Sequence, residues 1–179
     1  MVLPFLLPKP TALLSTKNLD FPQIPTLQMK GVQLNATKCV QFLGLHWDSQ
    51  LTWKIHINKV IASCNSSLDL LRTLSSRNWG ADHHIMLQTY RLIIRPKIDY
   101  GCLIYGSAPT ASLKKLDSIH NEALRICSGA FKSSPIESLY ILLNEPSLND
   151  RRKDLMCRKY FQTKCHLLNP VIASSTQPS

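Results

Sequence analysis

Adjacent acidic residues are missing from this sequence of 179 residues. Its 11 aspartates and glutamates are dispersed, and no segment has the pattern aromatic-x-Asp-Asp, in which x is any residue. Two-metal catalysis needs carboxylates that hold two divalent ions about 3.5–4 Å apart. The sequence therefore offers no local two-metal site, and we predict neither a catalytic residue nor a cofactor in this chain.

Other local signatures of catalysis are missing as well. The sequence has no G-x-x-x-x-G-K, G-x-G-x-x-G, H-E-x-x-H or G-x-S-x-G segment. This leaves phosphate-loop, dinucleotide-binding, zinc-protease and serine-hydrolase functions without support. A nucleophilic set of His120, Cys127 and a distant acid stays open as an alternative, although any chain of this length contains such combinations.

Cysteines and histidines lack the spacing of metal ligands. The six cysteines include no C-x-x-C pair, and Cys157 with Cys165 and His166 has the wrong spacing for a zinc knuckle. His83 and His84 are neighbours that would point to different faces of a helix, so we predict structural or solvated roles for them. Scattered, reduced cysteines favour an intracellular location, with the nucleus as one option.

Long apolar runs are missing too. No segment approaches the roughly 18 apolar residues that a membrane span needs. Prolines interrupt the short apolar start of the chain, which is untypical of a signal peptide. We therefore predict no membrane partner.

Basic residues, by contrast, are in surplus. The 21 lysines and arginines outnumber the acidic residues and give a net charge of +10. Such a surplus suits a polyanionic partner such as nucleic acid, and a merely soluble basic domain is the alternative.

A stripe of basic residues lies beside the apolar face of the last predicted helix. Its members are Arg151, Arg152, Lys153, Arg158 and Lys159, extended by Lys164. Such a stripe can follow a phosphate backbone, because arginine forks match phosphate geometry. We therefore take these residues as candidate nucleic-acid contacts, and a solvated helix face is the alternative.

Four segments follow one another along the chain. Residues 1–25 hold five of the eleven prolines and are predicted to be irregular and partly disordered. Residues 26–52 alternate between apolar and polar, which predicts a β-hairpin. Residues 53–169 have helical periodicity, and 170–179 form a tail predicted to be disordered. The predicted fold class is mainly α, with a short β-hairpin followed by a bundle of four to five helices.

The hairpin segment contains a glycine inside a predicted strand. That strand covers 39–45, and Gly44 within it predicts a bulge or a close backbone approach. The tryptophans Trp47, Trp53 and Trp79 are expected to fill the junction between strand and helix rather than to stack on bases.

The predicted helices begin or end at residues with capping chemistry. Thr52 and Asp82 are the predicted N-caps of the first and second helices, and Gly129 is the predicted stop of the third. Ser134 and Glu137 form a predicted capping box for the fourth helix.

The last two boundaries come from proline and serine. The second helix is expected to end or kink near Ile94, because Pro96 follows. The last helix is predicted to begin near Ser147 or Asn149. Its apolar residues are Leu155, Phe161, Cys165 and Leu168.

Three phrases occur in the order of one protein family. They are Phe42–Trp53 (FLGLHWDSQLTW), Tyr90–Gly101 (YRLIIRPKIDYG) and Ile119–Ala130 (IHNEALRICSGA). Together they resemble the downstream part of the reverse transcriptase of a non-LTR retrotransposon, of the jockey-like kind. The resemblance covers about residues 26 to 168, and it departs from the family at His120, where the family often has Gln.

The resemblance implies roles for the predicted elements. The hairpin would close a polymerase palm and is similar to the primer grip, so Phe42, Leu43 and Gly44 are candidate nucleic-acid contacts. The helices of 53–169 resemble the thumb. The polymerising carboxylates of the family lie upstream of these phrases, so Mg²⁺ is expected only for the complete polymerase.

The predicted function is therefore the template–primer-gripping part of an RNA-directed DNA polymerase, inactive on its own. Its expected partners are an RNA–DNA template–primer and the rest of the polymerase. The alternatives are a non-enzymatic, basic helical module or element remnant that binds nucleic acid, and a helical interaction protein whose basic face only keeps it in solution.

Overall fold

A computed structural model describes residues 11–13, 27–29, 32–75 and 80–165 of the chain. The chain divides into two compact units, Met1–Lys59 and Val60–Ser179. Strands lead and helices follow, so the predicted fold class, mainly α with a β-hairpin ahead of a helical bundle, is confirmed.

Five short strands form the β part of the described chain. Their bounds are Thr11–Leu13 (β1), Leu27–Met29 (β2), Val32–Thr37 (β3), Cys39–Phe42 (β4) and Leu45–Asp48 (β5). Strand β3 lies between β1, which is parallel to it, and β2, which is antiparallel. Strand β1 falls in the segment that proline content predicted to be irregular; the rest of that segment and the predicted tail 170–179 lie outside the described residues.

Strands β4 and β5 form an antiparallel hairpin, with Cys39 opposite Asp48 and Phe42 opposite Leu45. The predicted strand over 39–45 is wrong, because the chain turns after Phe42. Leu43 and Gly44 make the turn with φ of 47° and 76°. Two successive positive φ values match the right-handed twist of a tight hairpin, and glycine adopts them without cost. Gly44 is thus a turn residue and not a bulge.

Seven helices follow in the described chain. Their bounds are Lys54–Leu74 (α1), His83–Ile93 (α2), Arg95–Asp99 (α3), Cys102–Tyr105 (α4), Thr110–Ser128 (α5), Ile136–Leu143 (α6) and Leu148–Cys165 (α7). The short α3 was not predicted as a helix. It begins directly after α2 with Pro96 in its first turn, where the missing N–H costs no hydrogen bond.

Two predicted helix boundaries are confirmed. Asp82 is the N-cap of α2, and its carboxylate accepts a hydrogen bond from the His84 N–H at 3.2 Å. Gly129 ends α5 in the left-handed conformation with φ of 68°.

Two predicted caps are wrong. Helix α1 begins at Lys54, and the Thr52 hydroxyl donates a hydrogen bond to Asp48 instead of capping the helix. Helix α6 begins at Ile136 with Pro135 in the cap position and no hydrogen bond from a capping side chain. Pro135 has a ψ of 132°, which lies outside the helical range, so it precedes the helix and the cap position falls one residue after the predicted serine.

The core of the second unit lies where the apolar periodicity placed it. All five residues predicted to face inward on α5 are buried: Leu116, Ile119, Ala123, Leu124 and Cys127. Helix α7 differs, because only Leu148 of it is buried. The predicted apolar residues Phe161 and Cys165 are exposed, and Leu168 lies outside the described residues.

Candidate nucleic-acid interface

The tip of the β4–β5 hairpin exposes two large apolar side chains. Phe42 is 62% exposed and Leu43 is 73% exposed, and Gly44 beside them is also exposed. Leu43 holds a positive φ, a conformation that costs an L-residue about 1 kcal/mol or more. The structure therefore brings the three predicted contact residues together at one exposed turn.

The base of the same hairpin is held by Asp48, a residue of the Phe42–Trp53 segment for which no structural role was predicted. Its buried carboxylate accepts hydrogen bonds from Thr52 N–H at 2.9 Å, from the Thr52 hydroxyl at 2.8 Å and from Trp53 N–H at 2.9 Å. Burial alone would raise the pKa of Asp48, but these hydrogen bonds together lower it below its ordinary value. The four-residue spacing of Asp48 and Thr52 is the feature of the sequence from which this pairing could have been predicted.

Two tryptophans pack beside Asp48. The rings of Trp47 and Trp53 meet edge to face with centroids 4.8 Å apart, and Trp53 is buried. The predicted packing role is confirmed for this pair, and Trp79 lies outside the described residues. Hydrogen bonds at the base and ring packing beside it make the hairpin a fixed support for its tip.

The first two residues of the predicted basic stripe form ion pairs within the protein. Arg151 grips Asp99 with its Nε atom 2.8 Å from Oδ1 and 3.0 Å from Oδ2. The Arg152 Nη1 atom lies 3.8 Å from Oδ1 of Asp117. The two arginine side chains are only 18% and 14% exposed. They tie the first turns of α7 to α3 and α5, and their charges are largely used inside the protein.

The other three stripe residues reach the solvent. Lys153 is 70% exposed and Arg158 is 73% exposed, and Lys159 is exposed as well. Arg158 pairs with Asp154 at 2.9 Å on the same helix. Such a surface pair contributes little and can exchange for a phosphate contact. The predicted stripe thus divides into an internal part and a solvent-accessible part.

A buried polar cluster surrounds His120. Its Nδ1 atom lies 2.6 Å from the Tyr90 hydroxyl, and its ring stacks on Tyr140 with centroids 5.7 Å apart. Burial lowers the pKa of His120 to about 4, so the ring is neutral at neutral pH. The burial of His120 could have been predicted from its place between the inward-facing Ile119 and Ala123.

The neighbouring carboxylate of Glu145 completes this cluster. Glu145 is buried and pairs with both Arg91 and Arg95, whose Nη1 atom lies 3.1 Å from its Oε1. A buried carboxylate needs such partners, because an unpaired buried charge is strongly unfavourable. The cluster therefore joins α2, α3 and α5 to the connection before α7.

The open alternative of a nucleophilic cysteine finds no support in this environment. Cys127 is buried, and burial raises the pKa of its thiol to about 12. A reactive cysteine needs a lowered pKa and access to substrate. Among the side chains that the structure describes, no three His, Cys, Asp or Glu residues are grouped so that they could hold a metal ion.

A further cation-rich feature was not predicted. A cavity of about 350 Å³ lies at the ends of α1 and α5 and is lined by Arg72, Glu122, Arg125 and Lys132, among others. Arg72 pairs with Glu122, and Nη2 of Arg125 donates to the Ser134 carbonyl at 3.4 Å. The charges that line the cavity are thus partly satisfied within the protein.

Within the described part of the chain, no helix combines the length and the apolar character that crossing a membrane requires.

Comparison with known proteins gives three informative relatives. The RNA-directed DNA polymerase from mobile element jockey of Drosophila funebris is 25% identical over 140 residues, which are 77% of this chain and 15% of the relative. The probable RNA-directed DNA polymerase from transposon X-element of Drosophila melanogaster is 24% identical over 105 residues, 59% of this chain and 12% of the relative. The retrovirus-related Pol polyprotein from type-1 retrotransposable element R1 4 of Nasonia vitripennis is 20% identical over 116 residues, 65% of this chain and 30% of the relative.

These similarities confirm the resemblance that the three sequence phrases predicted. The chain spans 12% to 15% of the length of the first two polymerases that it matches. No protein-family model and no solved structure matches the chain.

Proposed function

We propose that this relative of the RNA-directed DNA polymerases of non-LTR retrotransposons grips nucleic acid, as the palm edge and thumb of such a polymerase would. Its partner would be an RNA–DNA template–primer. The chain would hold this partner without extending the primer, because its sequence contains no Asp-Asp pair for the metal ions of polymerisation.

The observation that carries the proposal is the exposed tip of the β4–β5 hairpin. Phe42 and Leu43 are held in solvent by a turn in which a leucine has a positive φ. Backbone strain that exposes apolar side chains typically marks a contact surface. Gly44 adds a stretch of backbone without a side chain, which permits close approach to a sugar or a base.

The charge of the second unit supports the same partner. Lys153, Arg158 and Lys159 are exposed on α7, and the chain as a whole carries a net charge of +10. Exposed cations release counterions when they meet phosphates, and this release favours binding at low salt.

An alternative function is nucleic-acid binding that needs no polymerase at all. The missing Asp-Asp pair favours it, since a chain without catalysis can still bind. Both readings require binding of nucleic acid, and they differ in whether an RNA–DNA template–primer is preferred over other duplexes of the same length.

The test is a titration of a fluorescent RNA–DNA template–primer with the full chain. Fluorescence anisotropy measures the binding at several salt concentrations. A matched DNA duplex shows whether the hybrid is preferred. We expect binding that weakens as salt rises, and an approximately tenfold loss in Phe42→Ala/Leu43→Ala because the apolar contact at the tip is removed. The control is Ile141→Ala/Leu142→Ala, which removes two exposed apolar residues of α6.

Two results would contradict the proposal. Absence of salt-dependent binding by the parent chain would remove nucleic acid as the partner. Equal affinities of the hairpin variant and the α6 control would show that the tip is not a contact. Circular dichroism of both variants should match the parent chain, because the replaced side chains lie at the surface.

A further inference from the structure

The second half of α7 exposes aromatic side chains that no role in folding explains. Tyr160 is 57% exposed and Phe161 is 64% exposed. Every residue from 156 to 162 is exposed. Two adjacent aromatic side chains in water lose the burial that usually stabilises such residues, so their exposure points to a binding surface.

The helical period places these rings among cations. Lys153, Tyr160 and Lys164 follow one another at seven and four residues and therefore share one face of α7, with Phe161 beside them. The opposite face carries Leu148, which is buried. We call the four residues Lys153, Tyr160, Phe161 and Lys164 the α7 outer face.

Ring and cation are in contact on this face. The rings of Tyr160 and Phe161 have centroids 5.7 Å apart with an interplanar angle of 75°. The Lys164 Nζ atom lies 5.8 Å from the centroid of the Tyr160 ring. Since the Phe161 side chain is 64% exposed, a flat partner can reach it, and Lys164 places a positive charge next to the Tyr160 ring.

The charge on this part of the helix has one sign. Arg158, Lys159 and Lys164 are basic, and no acidic residue occurs between Leu155 and Cys165. Lysine is depleted at the centres of protein–protein interfaces, whereas exposed aromatic rings among lysines and arginines are typical of surfaces that bind single-stranded nucleic acid. The composition of the face thus favours a strand with bases and phosphates over a polypeptide.

We infer that the α7 outer face binds an unpaired nucleic-acid strand, with bases stacked on Phe161 and Tyr160 and phosphates near Lys153 and Lys164. This inference rests on the proposed function, and it adds that the part of the nucleic acid that contacts the α7 outer face is single-stranded. Bases in a duplex are already stacked on each other, so only unpaired bases can use the rings. The face extends about 16 Å along the helix, which is room for four or five stacked bases.

The test compares two strands of equal charge. One is a fluorescent oligothymidylate of about 12 nucleotides, within the site sizes of single-strand binders. The other is an abasic sugar–phosphate strand of the same length, which offers phosphates but no bases. Anisotropy titrations of the full chain should show that the strand with bases binds about tenfold more tightly, since one stacked base supplies a difference of this size.

Substitutions then assign the difference to the rings. Tyr160→Ala/Phe161→Ala should reduce affinity for the oligothymidylate about tenfold and leave affinity for the abasic strand unchanged. The control Ile141→Ala/Leu142→Ala, a pair of exposed apolar residues on α6, should change neither affinity. Tyr160→Leu/Phe161→Leu keeps apolar area without rings and should behave as the alanine pair does. Tyr160→Phe keeps the ring and should bind as the parent chain does.

The outcomes separate this inference from the proposed function. If the alanine pair binds both strands as the parent does, or loses affinity for both strands equally, stacking on α7 is wrong while nucleic-acid binding stands. If the leucine pair retains full affinity, apolar contact replaces stacking and the inference is wrong. If the parent chain binds neither strand nor the template–primer at low salt, the proposed function and the inference fail together.

Discussion

The two ends of helix α7 carry similar basic residues in different surroundings. In its first turns, Arg151 grips Asp99 and is mostly buried. In its second half, Arg158 and Lys159 extend into solvent beside exposed aromatic rings. Arg151 and Arg152 pair with carboxylates of α3 and α5 and so stabilise contacts between helices. Arg158 pairs with Asp154 of its own helix and Lys159 is exposed, and we propose that these two residues meet a polyanion.

The inner region extends beyond α7. It includes the buried carboxylate of Glu145, its arginine partners and the neutral ring of His120. We call this set together with Arg151 and Asp99 the inner polar cluster. Changes within it should act on stability, whereas changes on the α7 outer face should act on binding, and the predictions below test this division.

The largest effect on stability is expected from Glu145→Ala. The substitution leaves Arg91 and Arg95 without their shared carboxylate, and breaking a buried ion pair costs about 3 kcal/mol. For a chain of this size, that loss lowers the Tm by about 10 °C. Thermal unfolding followed by circular dichroism measures it. The control Glu137→Ala removes an exposed carboxylate of α6 and should change the unfolding free energy by less than about 0.5 kcal/mol; equal losses in both variants would contradict the division.

The next effect is a pH dependence from His120. Its folded pKa, about 4, lies below the ordinary value of 6.5. A lowered folded pKa means that the neutral ring stabilises the fold above pH 6.5, and that this stabilisation is lost as the pH falls toward 4. The loss across this window should amount to about 3 kcal/mol, because each unit of pKa difference corresponds to about 1.4 kcal/mol.

Urea unfolding of the parent chain and of His120→Gln at several pH values measures this contribution. We expect the variant to be less stable at pH 7 and to lose less further stability as the pH falls to 4. Parallel pH profiles would show that His120 does not titrate in this way.

A smaller loss is expected from Arg151→Ala. The substitution leaves the Asp99 carboxylate without its two-pronged partner, and the pair is partly exposed, so we expect a loss of about 2 kcal/mol in the free energy of unfolding. Arg151→Lys keeps the charge but not the fork and should lose about half as much. Urea unfolding at pH 7 compares both variants with Lys153→Ala, which should stay within about 0.5 kcal/mol of the parent. If Arg151→Ala is as stable as the parent chain, Arg151 does not belong to the inner polar cluster.

The local patterns of the sequence predicted most helices, because apolar periodicity and single-residue caps depend on near neighbours. Asp82 and Gly129 are examples. The turn at Leu43 escaped prediction because leucine rarely adopts a positive φ. The cap of α6 was missed because Pro135 and Ser134 both fit the position.

The candidate site was predicted less completely for a physical reason. Arg151 and Asp99 are 52 residues apart in sequence, and no local pattern shows that they meet. The basic stripe was therefore predicted as one surface, although pairing divides it. Conversely, Phe161 was predicted among the apolar residues of α7, and only the structure shows that it lies in solvent beside Tyr160.

The most direct measurement of the central claim is the salt dependence of template–primer binding by the parent chain and by Lys153→Ala/Arg158→Ala/Lys159→Ala. Each lost phosphate contact reduces the slope of log affinity against log salt by roughly 0.7 to 0.9. The account predicts a slope lower by about 2 in the triple variant, with a free energy of unfolding equal to that of the parent. An unchanged slope, or a loss of stability as large as that of Arg151→Ala, would contradict it.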